Sequence, residues 1–432
     1  MQHQSRLYLK ALVLYLVTCV AAADDPLYFT FPVNGNVYPR GFYNVTITIG
    51  PNQRPYILQI DTGSGLTWIQ CDKPGARNYP APNPPYNPED RNVVVLRTDP
   101  VCSVVQNLLP PGFYEGKYCA YDIHYADGMS TQGFLVNDSV NLNLANGQLS
   151  PPLTFGCGHN QYLPNPNEPQ YVDGVLGLSN VSFSFVSQIS RQGLTQNAIG
   201  HCFSSKGDGY LSLGLGDLAK YEDFNWTTLF PTTNSDYYYL GKADLMLGGE
   251  VTDIRGLDIV FDSGSTYTYL NNLAYDAIYD LIEGYNNRQS SPLDKATDPN
   301  LPFCWKGPFT SVSDVSSYFS TLALNFSTNL QFAMGIESYL IISLSRAESN
   351  IGLKRGMLDN YGLELESSVD LSLVCGLNDL ANVCLGILDG SEVGLGDLNV
   401  IGDISFQDKL VIYDNDRQLV GWDERDCSTI PS

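Results

Sequence analysis

Histidine, methionine and positive charge are scarce in this chain: four His, five Met, and 23 Lys plus Arg against 46 Asp plus Glu in 432 residues, a net charge of −23. Such a surface repels phosphate backbones and anionic lipid, which argues against nucleic acid and membrane surfaces as partners and suits an acidic compartment. No two cysteines stand at Cys-x-x-Cys spacing, and His124, His159 and His201 are scattered, so neither a zinc nor a redox centre is expected and no cofactor is implied. No stretch approaches the length of uninterrupted apolar sequence that spans a bilayer, and the polar end Cys427–Ser432 offers no lipid-anchor tail, so no stable membrane anchor is expected. A Gly-x-Ser-x-Gly elbow is missing too, against a serine hydrolase.

What is present begins with an export pattern over residues 1–23: Arg6 and Lys10 lead an apolar run from Ala11 to Val20, followed by small residues at Ala21–Ala23. The processed chain is expected to start near Asp24 and to be secreted or delivered to a vacuole. Of ten cysteines, Cys19 leaves with that signal; Cys71, Cys102, Cys119, Cys157, Cys202, Cys304, Cys375, Cys384 and Cys427 remain to oxidise, with many pairings open. Asn-x-Ser/Thr tripeptides make Asn44, Asn137, Asn180, Asn225 and Asn325 candidate glycosylation sites.

Gly41–Gly50 alternates apolar and polar residues with the period of a half-buried strand, and similar signals recur along the chain. Leu410–Tyr413 and Gln418–Trp422 flank Asp-Asn-Asp-Arg, which predicts a hairpin. Helical periodicity is confined to Leu273–Tyr285 and Val181–Gln192, and the Pro-rich stretch Pro74–Pro88 reads as a surface loop. The class is therefore all-β with few short helices.

One sequence is said twice. Ile60-Asp61-Thr62-Gly63-Ser64 is answered by Phe261-Asp262-Ser263-Gly264-Ser265, and each is followed by an apolar-apolar-Gly echo, at Val175–Gly177 and Val400–Gly402. The repetition implies two related lobes, 24–220 and 221–432, joined near residues 215–240. A single Asp-Thr-Gly-Ser is an ordinary turn; two copies, each behind an apolar strand in its own half, are not. Hydrolysing a peptide without a metal or a covalent nucleophile needs a base to activate water and an acid to protonate the substrate. Two adjacent carboxyls that share one proton supply both, which makes Asp61 and Asp262 the candidate catalytic pair. Gly63 and Gly264 would let the backbones approach, Thr62 and Ser263 would brace the loops, and Ser64 and Ser265 would bond the outer carboxylate oxygens. With both motifs in one chain, a monomer is expected.

These elements resemble the pepsin-like aspartic protease family from about Tyr43 to Trp422, and Leu153–Gly158, Gly200–Phe203, Phe261–Tyr269, Leu301–Lys306 and Asn382–Gly390 are similar to its plant nucellin-like branch. The resemblance implies a bilobal fold with an acid-pH endopeptidase site between the lobes, open to an extended peptide or protein substrate. It implies a flap over Ile123–Ser130 with Tyr125 and Gly128 near its tip, Trp68 as hydrogen-bond partner of that Tyr, and a disulfide between Cys304 and Cys384. Some members keep the fold as inhibitors or storage proteins without activity, and loss of either Asp motif betrays them; both are intact here. The chain departs from the pattern in showing no sizeable prosegment before Asp61, Ala126 and Met129 in the flap, no saposin-like insert, and a long segment at about 343–381. That segment, with its odd Cys375, is expected to be an unusual surface loop or a retained intron.

Overall fold

The computed structural model describes residues 27–88, 93–106, 116–144, 147–164, 171–216, 218, 224–231, 237–298, 301–307, 309–327, 330–343 and 381–429. The expected export signal, Cys375 and residues 344–380 lie outside these.

The first half runs through β1 (Phe29–Asn36), β2 (Phe42–Ile49), β3 (Arg54–Asp61), β4 (Trp68–Gln70), β5 (Ala120–His124) and β6 (Ser130–Leu144). It continues with β7 (Gly147–Leu149), β8 (Pro152–Tyr162), β9 (Gly174–Gly177), β10 (Ala198–Phe203) and β11 (Asp208–Leu213). The second half holds β12 (Asn225–Thr228), β13 (Tyr238–Leu247), β14 (Glu250–Val251), β15 (Leu257–Phe261), β16 (Thr268–Leu270), β17 (Lys295–Ala296), β18 (Cys304–Trp305) and β19 (Leu322–Ser327). It ends with β20 (Leu330–Met334), β21 (Leu340–Ser343), β22 (Asn382–Leu385), β23 (Ile387–Asp389), β24 (Leu398–Ile401), β25 (Lys409–Asp414) and β26 (Leu419–Glu424). These strands form sheets of fourteen, eight and four, and the fold is mainly β and two-lobed.

The alternation read in the sequence sets the burial of β2, where Val45, Ile47 and Ile49 are sealed in the core while Thr46 faces out. The predicted hairpin is β25–β26, in register from Lys409 opposite Glu424 to Asp414 opposite Leu419, with Arg417 Nε donating to Asp414 Oδ2 at 2.6 Å across the turn. Its first strand pairs with β10, so the chain's end joins the large sheet, and a Cys202–Cys427 disulfide fastens it there. Below the cleft Trp422 packs against Phe261, Phe326 and Phe332, an aromatic cluster that closes the core.

Helix α1 (Pro100–Gln106) carries Cys102, bonded to Cys119. Helix α2 (Phe185–Arg191) begins four residues later than the periodicity suggests, because the Ser184 side chain accepts from Ser187 N and caps it while Ser184 N closes a turn onto Val181 O. Helix α3 (Asn272–Asn286) matches the predicted span; Asn271 caps it, and Ala274, Tyr275, Ile278 and Ile282 form its buried stripe. Pro74–Pro88 contains no regular strand, although Tyr86 is anchored in the core. Cys71–Cys157 and Cys304–Cys384 complete four disulfides, the latter joining directly opposed residues of β18 and β22. Asn44 is buried within β2, whereas Asn137 is exposed and Asn180, Asn225 and Asn325 are partly so. Among the described residues no helix is long and apolar enough to cross a membrane.

Candidate active site

Each Asp motif leaves its strand at the same point of a repeated construction. β3 runs parallel to β9, with Asp61 beside Gly177, and β15 runs parallel to β24, with Phe261 beside Ile401. The apolar-apolar-Gly echo thereby acquires a reason. A Cβ at Gly177 would meet the Gly65 backbone at 2.7 Å and one at Gly402 would meet Tyr267 O at 2.1 Å, so only glycine lets each loop fold down against the neighbouring strand.

The two loops lock together. Thr62 N donates to Ser263 Oγ at 3.1 Å and Ser263 N to Thr62 Oγ1 at 2.9 Å, while Ser263 Oγ donates to Ile60 O at 3.2 Å. This brings the Asp61 and Asp262 carboxyls together, so close that a Cβ on Gly264 would lie 2.4 Å from Asp61 Oδ1 and 3.1 Å from Asp262 Oδ1. Ser64 Oγ donates to Asp61 Oδ2 at 2.6 Å and Gly63 N to its Oδ1 at 2.8 Å; Ser265 Oγ and Gly264 N do the same for Asp262 at 2.9 and 2.8 Å. Burial, followed by the charge of Asp262, raises the pKa of Asp61, and burial raises that of Asp262 as well. Two carboxylates this close resist ionising together, so the pair keeps one proton at pH values where a lone Asp has already lost its own.

Over the pair, the β5–β6 hairpin turns through Tyr125–Met129, with Tyr125 N donating to Met129 O at 2.8 Å and Gly128 at φ +84°, a conformation that favours glycine. Trp68 Nε1 donates to Tyr125 OH at 2.6 Å. The cleft beneath, about 880 Å³, is walled by Trp68, Tyr121, Ile123 and Tyr125 on one side and by Tyr237 and Tyr269 on the other. Among the described residues no group of three or more His, Cys, Asp or Glu side chains is arranged to hold a metal ion.

The sequence is similar along its length to known proteins. It is 33% identical to an aspartic proteinase of Oryza sativa subsp. japonica over 99% of this chain and 97% of that one. The chain belongs to the pepsin-like aspartic protease family. Within that family it is 27% identical to aspartic proteinase nepenthesin-2 of Nepenthes gracilis, over 81% of this chain and 77% of the relative, and residues 43–215 match the family described as Xylanase inhibitor N-terminal. The aspartic proteinase of Irpex lacteus has the same fold at TM-score 0.59 and 16% identity, over 93% of this chain and 99% of that one. Soybean basic 7S globulin shares the fold at TM-score 0.63 and 13% identity, over 92% and 96%.

Three groups around this pepsin-like site escape sequence reasoning. Gln59 lines the cleft two residues before Asp61, and its signal was a polar residue at an inward position of an otherwise apolar strand. His201, fully buried and held neutral by that burial, contacts Tyr413 OH through Nε2 at 3.1 Å. Asp403, one residue past Gly402, is fully buried, and neither carboxyl oxygen has a hydrogen-bond partner among the described residues. Burial, then the charges of Asp262 and Asp61, hold its pKa well above the usual carboxylate range.

The raised pKa has a sign for stability. The folded state keeps a proton that the unfolded chain releases, so stability falls as pH rises from about 4 towards the folded pKa. His201 works in the opposite sense: its pKa is depressed to about 3, so stability is lost as pH falls from 6.5 to that value. Asp403→Asn, neutral at every pH, is expected to raise Tm more at pH 7 than at pH 4. Equal shifts at the two pH values would show that Asp403 is not protonated in the fold.

Proposed function

We propose that this chain is an aspartic endopeptidase that cuts extended polypeptides at acid pH, with Asp61 and Asp262 as its catalytic pair. The observation that carries the reading is the pair of adjacent carboxyls on two interlocked loops, each held by its own Ser hydroxyl and Gly N–H. A water between them gives a proton to the ionised carboxylate as its oxygen attacks the scissile carbonyl carbon. The protonated carboxyl gives its proton to the carbonyl oxygen, producing a neutral gem-diol. Return of a proton to the amide nitrogen lets the C–N bond break, releasing an amine and a carboxylic acid and leaving one proton on the pair. Thr62 and Ser263 hold the loops in register, and Tyr125, steadied by Trp68, closes the flap over the substrate.

The chemistry needs a singly protonated pair, so the rate falls as pH rises and strips that proton, and falls again when acid protonates both carboxyls. Purified protein is expected to digest a denatured protein substrate with a bell-shaped profile centred in the acid range, blocked by a statine-based transition-state analogue. Folded protein that cuts nothing between about pH 3 and 6 would refute the reading. The four disulfides fit a secretory route, to the outside or a vacuole, and Asn137 is the most exposed site for a glycan. A second reading, a pepsin-like binding protein without activity, draws on the match to the xylanase-inhibitor family and on the globulin neighbour; the same assay separates the two.

A further inference from the structure

Gln59 stands where an apolar residue would complete the strand. Its neighbours Leu58 and Ile60 are fully buried on the far face of β3, and the two-residue period puts Gln59 on the face of Asp61, half-buried in the cleft. Across the cleft floor Nε2 donates to Gly264 O at 3.3 Å, the carbonyl of the residue whose N–H holds Asp262. That contact fixes the carboxamide's orientation, because the oxygen could not take the same place against a carbonyl. Oε1 then has no partner among the described residues and is not sealed from solvent, and one N–H stays unspent. Val175, opposite Gln59 in β9, and Trp68, opposite Val175 in β4, supply an apolar wall beside it. Gln59 is the only carboxamide among the described residues that line the cleft.

We propose that Gln59 is a specificity-determining residue: its carboxamide, latched to Gly264 O, favours a substrate whose side chain beside the scissile bond carries an amide or hydroxyl over one that is aliphatic or aromatic. An apolar side chain seated there strips water from Oε1 and the second N–H and gives nothing back, whereas a side chain that both donates and accepts pairs with both. A carboxylate in the same place would meet the charge of the Asp pair.

The inference rests on the cleft being a peptide-cutting site, and two separate measurements keep the claims apart. Cleavage by the wild-type protein tests the endopeptidase reading. For Gln59, binding is read by calorimetry at pH 4 on full-length protein carrying Asp262→Asn, so that no turnover is needed, with and without Gln59→Leu. The probes are alanine octapeptides with Leu-Leu, Gln-Leu or Leu-Gln as the central pair. We expect one Gln-containing peptide to bind about tenfold more tightly than Leu-Leu, and Gln59→Leu to abolish or reverse that preference. Gln59→Met, of the same length but without the amide, is expected to behave likewise and serves if the Leu variant misfolds. Preference for Leu-Leu in the Gln59 protein, an unchanged preference in both variants, or no binding of any peptide overturns the assignment.

Discussion

Asp262→Asn is expected to lower kcat at pH 4 by about 10³-fold or more while KM changes little and the protein stays folded. An amide matches the carboxyl in shape: its oxygen can still accept from Gly264 N, and its NH2, in place of Oδ2, can donate to the Ser265 hydroxyl, which then accepts, so the loops need not move. It cannot share a proton with Asp61 or ionise, and the remaining carboxyl must then serve as acid and base at once. Asp61 loses the negative neighbour that, with burial, holds its pKa up, so its own titration is expected to move towards that of a lone buried Asp. Asp61→Asn is the mirror experiment, with the same expected loss. Stability at neutral pH should rise slightly in either variant, since a buried carboxyl that resists ionisation is replaced by a group that never ionises. The measurement is kcat and KM on a peptide substrate beside a thermal melt. A variant retaining a tenth of wild-type kcat would place the chemistry elsewhere.

The site was legible to the extent that it depends on local patterns used twice. The two Asp motifs, their Ser and Gly partners and the apolar-apolar-Gly echoes are read directly, because tight turns and close backbone approaches admit few residue types. Trp68 and Tyr125 needed the family resemblance, since either aromatic by itself is ordinary core. Asp403 and His201 were opaque for a different reason. Nothing in the order of residues shows that a polar group will be sealed from water, and sealing is what shifts both their pKa values. Pairing of cysteines was equally open: Cys202 and Cys427 are 225 residues apart, and only the docking of β25 on β10 brings them together. Helix α2 starts late because a serine cap outweighs hydrophobic periodicity, a contest that periodicity by itself does not decide.

Gly63→Ala is expected to cost about 10²-fold in kcat, although it adds a single methyl group. A Cβ at Gly63 would stand 2.5 Å from Asp262 Cγ and its Oδ1, and one at Gly264 would stand 2.4 Å from Asp61 Oδ1, closer than nonbonded carbons and oxygens tolerate. The intruded atoms are the reacting carboxyls, so the clash cannot be relieved by swinging a flexible tail away. Either the Asp262 carboxyl turns off its hydrogen bonds to Ser265 and Gly264, or the loops separate and lengthen the bonds between Thr62 and Ser263. Both outcomes widen the gap between the carboxyls, weaken their shared proton and lower the upper pKa of the pair, so the alkaline limb of the rate profile should move to lower pH as kcat falls. Gly284→Ala is the control, because that glycine lies in α3 and, its own helix backbone aside, the added carbon meets no described atom within 4 Å; it should leave kcat alone and stabilise the helix by about 0.5–1 kcal/mol. If Gly63→Ala cut peptides at the wild-type rate with an unshifted pH profile, the carboxyls would have room to spare, and close approach of the two loops would not be what keeps the pair at work.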